Sequence, residues 1–194
     1  MLENALTSRN LTVSARTAWK TAVSVGIIVL AVVLPQIVHL AMGQPGGAKW
    51  LPMYLPVLLG GLLLGTRWAL PVGLISPLVS YLVTSALGSP MPAAERLPFM
   101  MVELAIFAAV SGLFSKKAAK NALWAVPAVI AAQIAGRAVF LGLVAVFQRY
   151  VSFSTAMIWS QLKAGYPGML AQIVLVPVIV WLLGKLLLKD GTDD

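Results

Sequence analysis

The sequence has no cysteine, a single histidine and few charged residues, and each shortage excludes a class of function. Without cysteine, the 194 residues can form no disulfide bond, thiolate metal site or cysteine nucleophile. The chain also has no GxSxG motif, no Walker-type GxxxxGKS/T motif and no pair of aspartates inside an apolar stretch. Hydrolase and nucleotide-binding chemistry both need such groups. We therefore expect a protein that is not an enzyme and has no metal or cofactor of its own.

Hydrophobic residues are abundant instead. They make up 60% of the chain and charged residues only 10%, a composition typical of integral membrane proteins. The formal charge of +8 does not indicate nucleic acid binding, because the basic residues stand at the ends of apolar stretches and form no continuous face. We expect contact with membrane lipid and none with nucleic acid.

The apolar stretches predict an all-α integral membrane protein with six transmembrane helices in a single domain, residues 1–194. The predicted spans are residues 18–42, 51–66, 68–87, 98–115, 121–147 and 169–188. Residues 43–49 (GQPGGAK) are turn-rich and predict an outer loop. Residues 154–163 predict a short interfacial helix that presents Met157, Ile158 and Trp159 to the membrane.

Lysines directly after the fourth span give the orientation. Lys116, Lys117 and Lys120 follow it closely, and basic residues near the ends of spans favour the cytoplasmic side. Six crossings return the chain to the side on which it began. We therefore expect the N- and C-termini in the cytoplasm, and Lys49 and Arg96 outside.

Two charged residues lie inside predicted spans, Glu103 in the fourth and Arg137 in the fifth. Their depths differ by roughly 9 Å at 1.5 Å per residue, a gap that long side chains can largely bridge. A charge within the membrane faces a partner or a wet cavity, so the pair predicts a polar cluster beneath an outward-facing pocket, with Gln133 one turn further inward. The alternative is an ion pair that only holds two helices together.

Other candidate ligand contacts converge at the outer ends of three spans. Residues 80 and 84 share a helix face, and the second span begins at a similar depth to the end of the first. With the charged pair beneath them, these residues predict a membrane-embedded binding site. The predicted contacts at this level are His39, Met53, Tyr54, Ser80, Tyr81 and Thr84.

Small residues recur every four positions near the start of the first span. Ala18, Ala22 and Gly26 stack on one helix face and would let another helix approach closely. This spacing predicts a docking face for a partner, or else ordinary packing against a helix of the same chain.

Five stretches make the chain resemble the substrate-binding S component of energy-coupling factor (ECF) vitamin transporters. They are AWKTA, GGAKWLPMYLPVLLGGLLLG, SPLVSYLVTS, RLPFMMVELAIFAAVSGLF and AGRAVFLGL. The resemblance implies a multi-pass protein of the bacterial cytoplasmic membrane that binds a vitamin or vitamin precursor on its outer face. It also implies association with a transmembrane coupling subunit and two cytoplasmic ATPases, and it assigns the docking role to Ala18 and Ala22 of AWKTA.

The middle stretches look most like the members associated with cobalamin or related corrinoids. In some such relatives a cysteine of the third helix binds cobalt, and Ser80, a weak cobalt ligand, stands at the corresponding position here. That departure leaves His39, water or no group at all on the lower face of a corrinoid. The alternatives are an S component for another substrate, such as a thiamin precursor or a queuosine-like molecule, and a structural membrane protein that binds no small molecule.

Overall fold

The computed structural model describes residues 12–189. Both termini, whose cytoplasmic location the sequence predicts, lie outside the described residues. Every regular element in the described part is helical. The α-helices are α1 Val13–Trp50, α2 Tyr54–Leu64, α3 Thr66–Ala86, α4 Leu97–Leu113, α5 Ser115–Lys120, α6 Ala125–Phe147, α7 Thr155–Ala164 and α8 Tyr166–Lys189. Short 3₁₀ turns at Ala94–Arg96 and Ala122–Trp124 lead into α4 and α6.

The predicted all-α fold is confirmed. Within the described residues, six segments are long and apolar enough to cross a membrane, the number that the sequence predicts. They are Val13–Gly43, Gly46–Leu64, Thr66–Ala86, Ala94–Leu113, Ala122–Phe147 and Tyr166–Leu186. The cytoplasmic location of the termini stays a prediction.

The predicted outer loop at residues 43–49 is present only as a sharp break at Gly43, because the residues that follow it are helical to Trp50. Gly43 has a φ of 69° and a ψ of −171°, so α1 consists of two helical parts that meet at this residue, where the first membrane-crossing segment also ends. Gly47 serves close packing, since a Cβ there would lie 2.5 Å from His39 Nε2. The glycine-rich composition indicated a turn, and the chain does turn at Gly43, since residues 39 and 47 would be about 12 Å apart in one straight helix.

The second helix also starts later than predicted. Leu51 takes a left-handed φ of 49° and ends α1, and α2 begins at Tyr54 after Met53. His39 lies one turn before the break at Gly43, near the end of the first part of α1, as predicted. The kinked end of α1 and the turn at residues 51–53 together form one wall of the cavity described below.

Helix α4 is the centre of the bundle, packed against α2, α3 and α6. Glycines on its neighbours permit the close approach: a Cβ at Gly73 of α3 would lie 2.4 Å from Leu104 O, and one at Gly136 of α6 would lie 2.3 Å from the Phe107 ring. Helices in lipid have no hydrophobic driving force for association, so they associate through close packing, which small residues at the crossings allow. This packing places Glu103 at full burial in the middle of the bundle.

The predicted short helix is present as α7, Thr155–Ala164, capped at its start by the Ser154 side chain, which accepts from Met157 N. Its orientation differs in part from the prediction. Met157 and Trp159 are exposed, but Ile158 is buried and packs with Phe99 and Phe153. Helix α7 therefore covers the end of the bundle with one face.

Candidate binding pocket

A cavity of about 400 Å³ lies at the end of the bundle opposite the lysines of α5. Its walls come from the kinked half of α1, the turn before α2, the outer end of α3, the loop at residues 89–93, the start of α4, the outer half of α6, and α7. Most of the wall is apolar or aromatic, for example Met53, Met100, Phe140 and Ile158. A largely apolar cavity with few polar groups is typical of a small-molecule site.

Three side chains form the polar base of this cavity, and we call Tyr54, Glu103 and Arg137 the floor cluster. Arg137 Nη1 donates to Glu103 Oε1 at 2.7 Å, and the Tyr54 hydroxyl donates to Glu103 Oε2 at 2.7 Å. Arg137 Nη1 also lies 3.2 Å from the Tyr54 hydroxyl oxygen, to which it donates. Each member thus bonds to both others.

Both carboxylate oxygens of Glu103 are therefore occupied, and the side chain is fully buried behind the cavity wall. Tyr54 and Arg137 line the cavity. The Arg137 guanidinium lies 4.5 Å from the Tyr54 ring centroid and 5.7 Å from that of Phe107, contacts that fix its plane. Its Nε has no hydrogen-bond partner among the described residues. The floor cluster thus presents an aromatic ring and a donor to the cavity while Glu103 holds both from behind.

Ser80 and Thr84 share a face of α3, as the spacing predicted, but that face binds the loop after α3. Met91 N donates to Thr84 Oγ1 at 2.8 Å, and Ser80 Oγ donates to Met91 O at 2.9 Å. Ser80 also lines the cavity, as does Met91, whereas Thr84 does not. The two hydroxyls therefore position the loop that forms part of the wall.

The structure brings together only part of the predicted site. The residues that line the cavity are His39, Met53, Tyr54, Ser80 and Arg137. Glu103 reaches it through its two partners, and Tyr81 and Thr84 lie outside the lining. Gln133 also lies outside it, and its Nε2 donates to Gln172 Oε1 and Met169 O, both at 3.2 Å. The role of each of these residues in binding stays a prediction.

Sequence reasoning missed several wall residues, notably Arg96 and Gln161. Arg96 Nη1 donates to Gln161 Oε1 at 3.2 Å, and both residues line the cavity. The sequence indicated Arg96 only as a charge that sets topology, and Gln161 only as part of an interfacial helix. The sequence signal that could have indicated Arg96 is its position directly before the apolar run of a helix that itself carries a charge, Glu103.

The two residues considered for cobalt binding, His39 and Ser80, both line the cavity. Ser80 Oγ donates to Met91 O, and His39 Nε2 lies close to Gly47. Among the described residues, no cluster of histidine and acidic side chains could hold a metal ion.

The small residues of α1 face outward. Ala18, Ala22 and Gly26 are exposed, and a Cβ at Gly26 would meet no atom within 4 Å. Packing within the chain therefore does not explain this stripe, which favours the docking interpretation.

A family model described as ECF transporter, substrate-specific component, matches residues 20–186. No curated protein and no solved structure matches the chain.

Proposed function

We propose that the cavity captures a vitamin-type molecule for uptake. The premise is that this chain belongs to the family of substrate-specific components of ECF transporters, as the match over residues 20–186 shows. The family consists of transporter components and not of enzymes. Its members bind a small-molecule substrate and work with a membrane subunit and an ATPase module. In this chain the capture site is the cavity above the floor cluster, in a bacterial cytoplasmic membrane.

This assignment rests on one observation: the ion pair of Glu103 and Arg137 borders the cavity. Burying a carboxylate and a guanidinium within a membrane is costly, and such groups are retained mainly along substrate paths or as paired structural contacts. Here the pair borders an apolar cavity of about 400 Å³. A pair that only joined helices would not need Arg137 on a cavity wall.

The cavity supports a compact substrate best. Drug-sized ligands occupy pockets of roughly 300–1,000 Å³, and the volume of about 400 Å³ lies in the lower part of that range. A vitamin or vitamin precursor with one or two rings suits this space. Cobalamin or a related corrinoid is the second candidate, favoured by the likeness of the middle stretches, and it would extend beyond the cavity between the loops.

Extraction of the purified protein tests the proposal. The protein is expressed in rich medium, purified in detergent and denatured, and released small molecules are identified by mass spectrometry. We expect one organic compound in near-stoichiometric amount, absent from an unrelated membrane protein prepared in parallel. A red sample with corrinoid absorbance would select the second candidate. If nothing is released, and no vitamin added to the washed protein raises its melting temperature, the transport assignment fails.

We also propose that the exposed stripe of Ala18, Ala22 and Gly26 contacts the ECF membrane subunit. Leucine at both alanines would keep the helix but prevent close approach of another backbone. We expect the Ala18→Leu, Ala22→Leu variant to bind ligand normally while uptake in cells and copurification with the energising module fall.

A matched control exists on α6, where Ala138 and Gly142 are also exposed and four residues apart. Leucine at both positions adds the same kind of bulk to another helix and should leave uptake unchanged. The docking role is wrong if the α1 variant loses ligand binding and expression together, or if both variants reduce uptake equally.

A further inference from the structure

We infer that the molecule captured here carries an anionic group, a carboxylate or a phosphate, which Arg96 binds at the outer part of the cavity. This inference rests on the proposed function and specifies the substrate class of the same site. It follows from the balance of charges around the cavity and from the way the Arg96 side chain is held.

Charge balance gives the first step. Between residues 12 and 189 the acidic residues are Glu95 and Glu103, and neither lines the cavity. Glu103 is committed to Arg137 and Tyr54. Glu95 accepts from the backbone N–H of Ser152 at 3.1 Å and from the Ser152 hydroxyl. Among the described residues, two arginines line the cavity. Arg137 is paired with Glu103, whereas Arg96 has no hydrogen-bonded carboxylate to balance its charge.

Position gives the second step. Arg96 comes directly before α4, seven residues ahead of Glu103. At 1.5 Å per residue it lies roughly 10 Å further out along the helix axis than the floor cluster. The first turn of α4 has no acidic residue, so the positive end of the helix dipole adds to the charge of Arg96. Arg96 and this helix end therefore place positive charge at the outer part of the cavity, while the neighbouring Glu95 is directed to Ser152.

Preorganisation gives the third step. The Arg96 guanidinium lies 5.3 Å from the ring centroid of Phe153, which is buried, and one nitrogen donates to Gln161. A guanidinium has five N–H donors in a rigid fork suited to carboxylate or phosphate. With the plane fixed by Phe153, the remaining donors are available to a ligand at little entropic cost.

The rest of the wall defines the remainder of the ligand. Met53, Met100, Phe140 and Ile158 line the same cavity as Arg96, Tyr54 and Arg137. We therefore expect an anionic group at one end and an apolar or aromatic body directed towards Tyr54. A cation such as thiamin does not suit this wall.

Matched pairs of probes test the inference on the washed, detergent-purified protein. The pairs are nicotinate and nicotinamide, biotin and biotin amide, pantothenate and pantothenol, and pyridoxal phosphate and pyridoxal, with thiamin and cyanocobalamin alongside. Thermal shift and calorimetric titration measure binding. We expect an acid to bind and its neutral partner to bind roughly tenfold or more weakly, since hydrogen bonds to charged groups contribute that much. This comparison uses the wild-type protein and depends on no variant.

Variants then assign the preference to Arg96. Arg96→Gln should remove the preference for the acid, and Arg96→Lys should retain part of it, because lysine keeps the charge without the fork. Arg149→Gln is the matched control, an exposed arginine at the same end that does not line the cavity. It should bind the acid like the wild type.

These experiments distinguish a failure of the inference from a failure of the proposed function. If a neutral or cationic compound is the tightest ligand, or if Arg96→Gln retains affinity for the acid within about twofold, the inference is overturned while the proposed function stands. If no probe binds and no compound is recovered from the purified protein, the proposed function fails and the inference fails with it.

Discussion

Two of the buried polar clusters in the described part of the chain have different surroundings. The floor cluster joins α2, α4 and α6 and borders the cavity. The second, which we call the glutamine pair, is Gln133 with Gln172, and it joins α6 to α8 and to Leu51 O. Leu51 lines the cavity, but neither glutamine does. Polarity within the membrane is therefore not sufficient to identify a site. We expect contact with the cavity to distinguish a binding cluster from a pair that only joins helices.

The two clusters also differ in the free energy that a substitution would cost. The floor cluster contains full charges, and an unpaired charge at such a depth has no cheap alternative partner. The glutamine pair is neutral, and hydrogen bonds between membrane helices contribute only about 0.6 kcal/mol on average. Substitutions should therefore rank the clusters clearly, both in stability and in ligand binding.

The largest effect is expected for Arg137→Ala. It leaves Glu103, which is fully buried, without its cationic partner, and breaking a buried pair in this way costs about 3–5 kcal/mol. We expect a marked fall in the melting temperature in detergent and poor recovery of folded protein.

The double variant Glu103→Gln, Arg137→Met is the control that removes both charges. It should fold much better than Arg137→Ala, because no buried charge is left unpaired. Loss of ligand by the folded double variant would link the cluster to binding. Unchanged affinity would show that the pair only joins helices, and the comparison with the glutamine pair would lose its basis.

The architecture was predictable because the bilayer permits few solutions. Apolar length and internal backbone hydrogen bonding predict the six spans, and the central role of α4 follows from a carboxylate that must be buried. What composition could not predict is that the residues after the break at Gly43 are helical to Trp50. A kink at Gly43 and a close contact at Gly47 use the same residue type as a loop, and only tertiary packing distinguishes them.

The site was predictable only in its inner part. Glu103 and Arg137 are conspicuous because charge is rare in apolar segments, and their pairing is as expected. Gln133 was assigned to the same cluster because it lies one turn from Arg137, but one turn was enough to direct it to Gln172 instead. Arg96 and Gln161 are 65 residues apart, and their contact depends on how α7 folds over the bundle end, which no local pattern encodes.

A moderate effect is expected for Tyr54→Phe. The change removes the hydroxyl that donates to Glu103 Oε2 and accepts from Arg137, while the ring stays 5.1 Å from Phe107 and beneath the guanidinium. A hydrogen bond to a charged group contributes about 1.5–3 kcal/mol. We expect a clear fall in the melting temperature, smaller than for Arg137→Ala, together with weaker ligand binding. Tyr81→Phe, on a tyrosine outside the cavity lining, is the control and should change neither property.

The smallest effect is expected for the double change Gln133→Leu, Gln172→Leu. Replacing both partners of a buried hydrogen bond by apolar groups of similar size is nearly neutral, whereas removing one leaves the other unsatisfied. Leu51 O would lose Gln172 Nε2 but would keep the bond that it accepts from Tyr54 N at 3.2 Å. We expect stability within about 1 kcal/mol of the wild type and unchanged ligand affinity, with Gln172→Leu alone more destabilising than the double change. A ligand affinity that fell in the double variant as far as in the charge-free floor variant would place the substrate against α8 and refute the distinction between the two clusters.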